Sequence, residues 1–200
     1  MALKSPISRV LYKEIKAGDR RKFIARSNDE PRTGGGARDL RFSGLEELRP
    51  VIEAMFPNPD PVTRKRKTGQ DELIRHGGIF NWRDHESTAA SQPKSEPVFM
   101  EPPTNKRPNE WRLTRVHTYS VFQSSKIPQE GEDGRVLLLL VQTKDGAIWP
   151  RFTTERSLRE DKWKKQVSQA LLDCVHAKRP RNRAATGYID FENGTGYCNG

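Results

Sequence analysis

No stretch of the 200 residues approaches the roughly 18 consecutive apolar residues that a membrane-spanning helix requires. The strongest apolar run, Val136 to Val141, has the length of a strand. Met1 to Tyr12 lacks the charged, apolar and small-residue regions of a secretory signal. The chain is therefore expected in the cytoplasm, without a membrane partner. Its two cysteines, Cys174 and Cys198, have no close spacing, so they predict neither a zinc site nor a disulfide framework. The four histidines, His76, His85, His117 and His176, are scattered and form no His-Glu-x-x-His pattern. No Gly-x-Ser-x-Gly elbow occurs. Gly34-Gly35-Gly36 lacks the Gly-Lys-Ser/Thr ending of a phosphate-binding loop. There are no internal repeats. The expectation is no metal, no cofactor and no small-molecule substrate.

Positive charge is what the chain has in excess. Lys and Arg number 36 against 26 Asp and Glu, a formal net charge of +10. That balance favours a polyanionic partner, nucleic acid first among them. Hydrophobic residues make up only 33% and charged residues 31%, which implies one domain with a modest core and long loops. Arg64 to Lys67 and Lys178 to Arg183 are basic runs suited to non-specific phosphate contact, or to a solubilising surface. Trp82, Trp111, Trp149 and Trp163 all sit in apolar-periodic contexts and are expected mostly in the core, although tryptophans also stack on unpaired bases.

Short strands are expected at 20–27 and 37–42, separated by a Pro- and Gly-containing loop. Gly44 to Phe56 reads as a helix: Ser43 is its candidate N-cap, Glu46 and Glu47 fall in its first turn, and Leu45, Leu48, Ile52, Met55 and Phe56 form one apolar stripe. Pro57, Pro59 and Pro61 end it. Residues 58–103 give no clear pattern beyond a polar, loop-like 83–95. A β-rich block follows, with strands near 109–116, 118–124 and 135–143, the last two joined as a hairpin through Gln129 to Gly134. Asp145-Gly146 is a turn signal, and a further strand starts at Ala147 to Trp149. Residues 157–177 read as the longest helix, and the rest as a loose tail. The predicted class is α+β: a seven-or-so-stranded open β-barrel (pseudobarrel) with two flanking helices over 1–178, and a basic, Gly-rich C-terminal tail over 179–200.

The most informative stretch is Thr104-Asn105-Lys106-Arg107-Pro108-Asn109-Glu110-Trp111-Arg112-Leu113-Thr114-Arg115. On a strand, residues two apart share a face. Glu110 and Arg112 then share one face, while Trp111 and Leu113 turn inward. Arg carries two parallel donors that match guanine O6 and N7, and Glu accepts from the N4 amine of cytosine. A face bearing both suits a G·C-containing step; it also suits an ordinary exposed salt bridge. Near Gly34 to Gly36, backbone amides and Arg38 suit a DNA phosphate, and a plain flexible turn is the alternative.

Two segments together resemble one family. They are Asn28-Asp29-Glu30-Pro31-Arg32-Thr33-Gly34-Gly35, followed by a strand, a helix and Met55-Phe56-Pro57, and Arg107-Pro108-Asn109-Glu110-Trp111-Arg112-Leu113-Thr114-Arg115. Both are similar to the N-terminal effector domain of EcoRII-type restriction endonucleases, in the same order and at similar separation. The resemblance implies a DNA-binding pseudobarrel like that of plant auxin-response transcription factors, with two loop-and-strand arms that grip the major groove. It implies base contacts by Glu110, Arg112, Arg107, Arg38 and Arg41. Backbone contacts would come from Lys106, Arg115, Asn109, Arg26, Gly35 and Gly36. The chain departs from the family pattern where Pro108 replaces an Arg, Gly36 a His and Arg41 an aromatic residue.

The family's nucleases carry a second domain with Mg²⁺-binding carboxylates and a Lys. The nearest equivalents here, Glu160, Asp161 and Lys162, sit in the expected long helix and read as solvated charges. The leading expectation is thus sequence-specific double-stranded-DNA binding in a restriction or phage-defence setting, without a catalytic centre of its own, alongside a separate nuclease subunit. A compact Mg²⁺-dependent type II restriction endonuclease is the enzymatic alternative, and an RNA or single-strand binder the third. On the first reading, Arg112→Ala relaxes specificity and costs about 1–3 kcal/mol of binding, while Lys106→Ala weakens all sequences alike.

Overall fold

A computed structural model describes residues 5–23, 38–66, 69–83, 92–105, 108–124, 127–129, 131–160, 165–178 and 183–199. The elements, in chain order, are β1 (Ile7–Glu14), α1 (Ala17–Phe23), β2 (Leu40–Ser43), α2 (Leu45–Met55), β3 (Asn58–Arg66), β4 (Gly69–Trp82), β5 (Lys94–Glu101), β6 (Glu110–Leu113), a 3-10 turn (Val116–Thr118), α3 (Ser120–Ser124), β7 (Val136–Thr143), β8 (Ile148–Thr154), α4 (Glu155–Arg159), α5 (Lys165–His176), β9 (Thr186–Asp190) and β10 (Thr195–Cys198). All ten strands belong to one sheet, ordered β10-β9-β1-β7-β8-β4-β5-β6-β2, with β3 paired to β4 off this path. The pairings are antiparallel except the one between β4 and β8. The α+β class is as expected. The described residues contain ten strands and five α-helices, more than the seven or so and two expected.

The apolar run of β7 explains the layering. All eight of its residues are buried, as a strand covered on both faces requires. Val136, Leu138 and Leu140 enter one core with Phe80, Trp111 and the α2 residues Leu48, Ile52 and Met55. Leu137, Leu139 and Val141 enter a second core with Val167, Leu171 and Val175 of α5. Each such side chain contributes roughly 1.5–3 kcal/mol on burial.

Several local expectations are corrected by contacts from distant sequence. Residues 20–23 belong to helix α1, not to a strand. Asp19 in its first turn pairs with Lys22 at 2.6 Å and with buried Lys13 at 3.3 Å, and Phe23 packs edge-on against Phe122 and Phe152. Burial alone would raise the Asp19 carboxyl, but the two lysines outweigh it and hold the pKa below its ordinary value. Residues 118–124 form the 3-10 turn and α3, again not a strand. The Glu96 carboxylate accepts from the backbone N–H groups of Ser120 and Val121, at 3.0 Å each, which satisfies the helix start from another element. With no strand over 120–124, the expected hairpin into β7 does not form.

Helix α2 matches its expected span, yet Ser43 ends β2 and does not cap it. Gly44 takes the N-cap position at φ 110°, and a Cβ built there would lie 2.8 Å from the Tyr197 ring. The expected single helix over 157–177 is α4 and α5, and α4 is capped by Thr154, whose hydroxyl accepts from the Ser157 N–H at 3.2 Å. The C-terminal segment is not a loose tail. β9 pairs with β1, β10 pairs with β9, and Cys174 of α5 is disulfide-bonded to Cys198 of β10. The sequence spacing concealed this bond because helix and strand become neighbours only in the fold. No helix among the described residues is long and apolar enough to cross a membrane.

With 24 residues separating the two cysteines, reducing this bond is expected to cost roughly 3 kcal/mol of stability. Urea unfolding with and without reductant measures it, and a midpoint unmoved by reductant would exclude β10 from the cooperative unit.

Candidate functional site

The strand that follows the first family-like segment and the strand within the second lie together at one edge of the sheet, while residues 28–35 themselves lie outside the described residues. β2 is the terminal strand and pairs antiparallel with β6: Leu40 opposes Leu113, Arg41 opposes Arg112, Phe42 opposes Trp111 and Ser43 opposes Glu110. The period of two divides this ribbon into faces. Leu40, Phe42, Trp111 and Leu113 have no exposed surface and anchor one face in the core. The opposite face is polar. The Arg41 side chain is 53% exposed there, and its Nε lies 3.4 Å from Oε1 of Glu110. Chain separation between residues 41 and 110 hides this pair from any spacing argument.

Arg112 behaves differently from its expectation. It is only 5% exposed, and its guanidinium pairs with Glu101 at 2.9 Å and with Asp39 at 3.4 Å. Glu101, on β5, is wholly buried and Asp39 nearly so. A buried carboxylate demands a partner, and Arg112 serves two. The structure thus moves Arg112 from the exposed base-reading face into an internal charge cluster. Glu101 stands directly opposite Arg112 in the register of β5 and β6, a pairing that sequence spacing alone does not reveal.

Asp39 also accepts from the backbone N–H of Arg115 at 3.1 Å. Among the described residues, Arg115 is the only non-glycine with positive φ, at 50°. Its carbonyl accepts from the Thr118 N–H at 2.8 Å and from the Thr118 hydroxyl at 2.9 Å. The left-handed backbone, which costs about 1–2 kcal/mol for a residue with a Cβ, is held from both sides, and Arg115 is exposed. Arg38 is half-buried, and its carbonyl accepts from the Val116 N–H at 2.9 Å. Asn109 is exposed just before β6. Arg26, Gly35, Gly36, Lys106 and Arg107 lie outside the described residues.

Trp111 has no exposed surface and Trp82 only 5%, so neither presents a free ring face for base stacking. Trp149 is half-buried, and Trp163 lies outside the described residues. His85, Asp161 and Lys162 also lie outside them, and Glu160 pairs with Arg156 at 2.8 Å. Among the described residues no group of three His, Cys, Asp or Glu side chains is placed to hold a metal ion. No protein-family model, curated protein or solved structure matches the chain.

Arg112→Ala would leave Glu101 and Asp39 buried without their shared cation, a change that costs roughly 3–5 kcal/mol. Thermal or urea unfolding is expected to show that loss, whereas exposed Arg41→Ala should change stability by less than about 0.5 kcal/mol. An Arg112→Ala protein as stable as the parent would return Arg112 to the surface role.

Proposed function

We propose that this chain is a sequence-specific double-stranded-DNA-binding module that grips the major groove through two loop-and-strand arms. The observation that carries the reading is the pairing of β2, the strand that follows the first family-like segment, with β6, which lies in the second. The chain enters β2 at Leu40 and β6 at Glu110, beside Ser43, at opposite ends of this antiparallel pair. Three strand steps of about 3.4 Å separate the ends, close to 10 Å, which is comparable with the roughly 12 Å width of the major groove. The net charge of +10 supplies the polyanion preference.

Arg41 and Glu110 are the base-reading pair on this reading. In the free chain they contact each other, with the Arg41 side chain 53% and the Glu110 side chain 18% exposed, and an ion pair open to solvent on one side is worth only about 0–1 kcal/mol. Exchanging that contact for guanine O6/N7 and cytosine N4 is therefore inexpensive, and a good bidentate match discriminates by about 1–3 kcal/mol. Arg38 and Arg107 assist. Arg115, Asn109, Lys106, Arg26, Gly35 and Gly36 hold phosphates. Arg112, opposite Arg41 in the register, is held by Glu101 and Asp39 and supports the pair from the side.

The pseudobarrel form belongs to the same proposal. Gly44, which follows edge strand β2, lies against Tyr197 of the opposite edge strand β10, so the open sheet curls its two ends towards each other. A module of this kind fits a restriction or phage-defence setting as the targeting partner of a separate nuclease.

Arg41→Gln and Glu110→Gln are expected to weaken binding to the preferred duplex about 10- to 100-fold, with little change on random duplex. Equal losses on both duplexes would remove the base-reading assignment.

A further inference from the structure

Strand β4 is longer than the sheet it joins. His76 to Trp82 pair with β5 and Phe80 with β8, but Gly69 to Arg75 pair with β3 alone. β3 in turn pairs only with β4. A two-stranded ribbon therefore projects from the body over six residue steps, roughly 20 Å at strand rise. Its described side chains contribute nothing to the core: Asp60, Val62, Leu73 and Arg75 are half-buried, Pro61, Thr63 and Glu72 are exposed, and Ile74 is 55% exposed. Two strands without a core are marginally stable at best.

The root of this ribbon, by contrast, is firmly mounted. Arg75 donates to Asp60 through Nε at 2.8 Å, and its guanidinium lies 4.1 Å over the Phe99 ring. The His76 ring stands 5.5 Å from buried Trp111, and burial pushes its pKa below the ordinary histidine value, assisted by Arg49 against Glu53. At Gly78 a Cβ would lie 2.8 Å from the Phe56 ring, so the missing side chain lets β4 cross the end of α2. The far end of the ribbon holds Arg64, Lys65 and Arg66 at register positions opposite Asp71, Gln70 and Gly69.

Composition decides what this ribbon meets. Pro59 and Pro61 lack the N–H groups that a further strand needs, and consecutive cations repel a second copy. Sheet extension is thus disfavoured; Arg75 is paired with Asp60, while at the far end Arg64, Lys65 and Arg66 outnumber Asp71 and Glu72, which favours a polyanion. The major groove of B-form DNA admits a two-stranded ribbon, whereas the deep, narrow major groove of an RNA duplex does not.

We propose that the β3–β4 ribbon is a third DNA-binding arm, entering the groove of a B-form duplex and setting affinity independently of sequence. The inference rests on the DNA-binding reading above. The test compares the full chain with R64Q/K65Q/R66Q on random-sequence DNA duplex, on the preferred duplex and on RNA duplex, across a salt series. T63E serves as a second variant that leaves every cation in place while setting a carboxylate on the exposed side of β3.

The triple variant is expected to bind DNA at least tenfold more weakly. Its slope of log affinity against log salt should fall by about 2 to 3, from roughly 0.9 per phosphate contact. Its preference for the selected site and its unfolding midpoint should persist, T63E should weaken DNA binding in the same direction, and RNA duplex binding should change less. Unchanged affinity and slope in a parent that binds DNA would overturn the ribbon assignment and leave the β2–β6 reading intact. Equal losses on RNA and DNA would overturn groove entry. A parent that binds no duplex would overturn both readings.

Discussion

Glu101 has no exposed surface and Arg112 almost none, so three charges including Asp39, one cation between two carboxylates, are held together inside the protein. Unpaired, each would cost several kcal/mol. Paired, they fix three strands at one edge of the sheet, because Glu101 lies on β5, Arg112 on β6 and Asp39 at the entry to β2. β2 is only four residues long and has one strand neighbour. Its hold on the sheet comes from Leu40 and Phe42 in the core and from Asp39 in this cluster. The exposed Arg41 stands on that strand, and Asp39 also holds the left-handed Arg115. What the edge offers to a partner is therefore set by an interaction no partner can reach.

The rest of the fold serves to present that edge. β7, buried throughout, separates two apolar clusters and fixes the strands on both sides of it. α5 closes the second cluster and ties β10 down through Cys174 and Cys198. Tyr197 on β10 then reaches Gly44 beside β2. The C-terminal strands, the core and the β2–β6 pair form one connected arrangement, with only the outer part of the β3–β4 pair, Gly69 to Arg75 and its partners, extending beyond it.

The parts legible in the sequence were those whose causes are local. The apolar run Val136 to Val141 read as a strand, and the stripe Leu48, Ile52, Met55 and Phe56 read as a helix, because periodicity and flanking prolines lie within a few residues. The parts that escaped depend on distant partners. Ser120 to Ser124 is helical because Glu96 meets its first N–H groups. Residues 186–198 are strands because β1 offers an edge. Arg112 alternates like a surface residue, yet two carboxylates from other segments draw it inward. Arg41 was singled out from the resemblance, but its pairing with Glu110 needed the register. Residues 69–82 gave little pattern because half of that strand has no core to pack against.

Charge alone draws a basic protein to DNA, and only base contacts give it a preferred sequence. The most direct test of the account is selection of bound sequences from a random duplex library at two salt concentrations. The account predicts a short enriched motif that persists at the higher salt. Binding that fades with salt and enriches no motif would contradict it, leaving a basic surface on an open sheet with no reader at its edge.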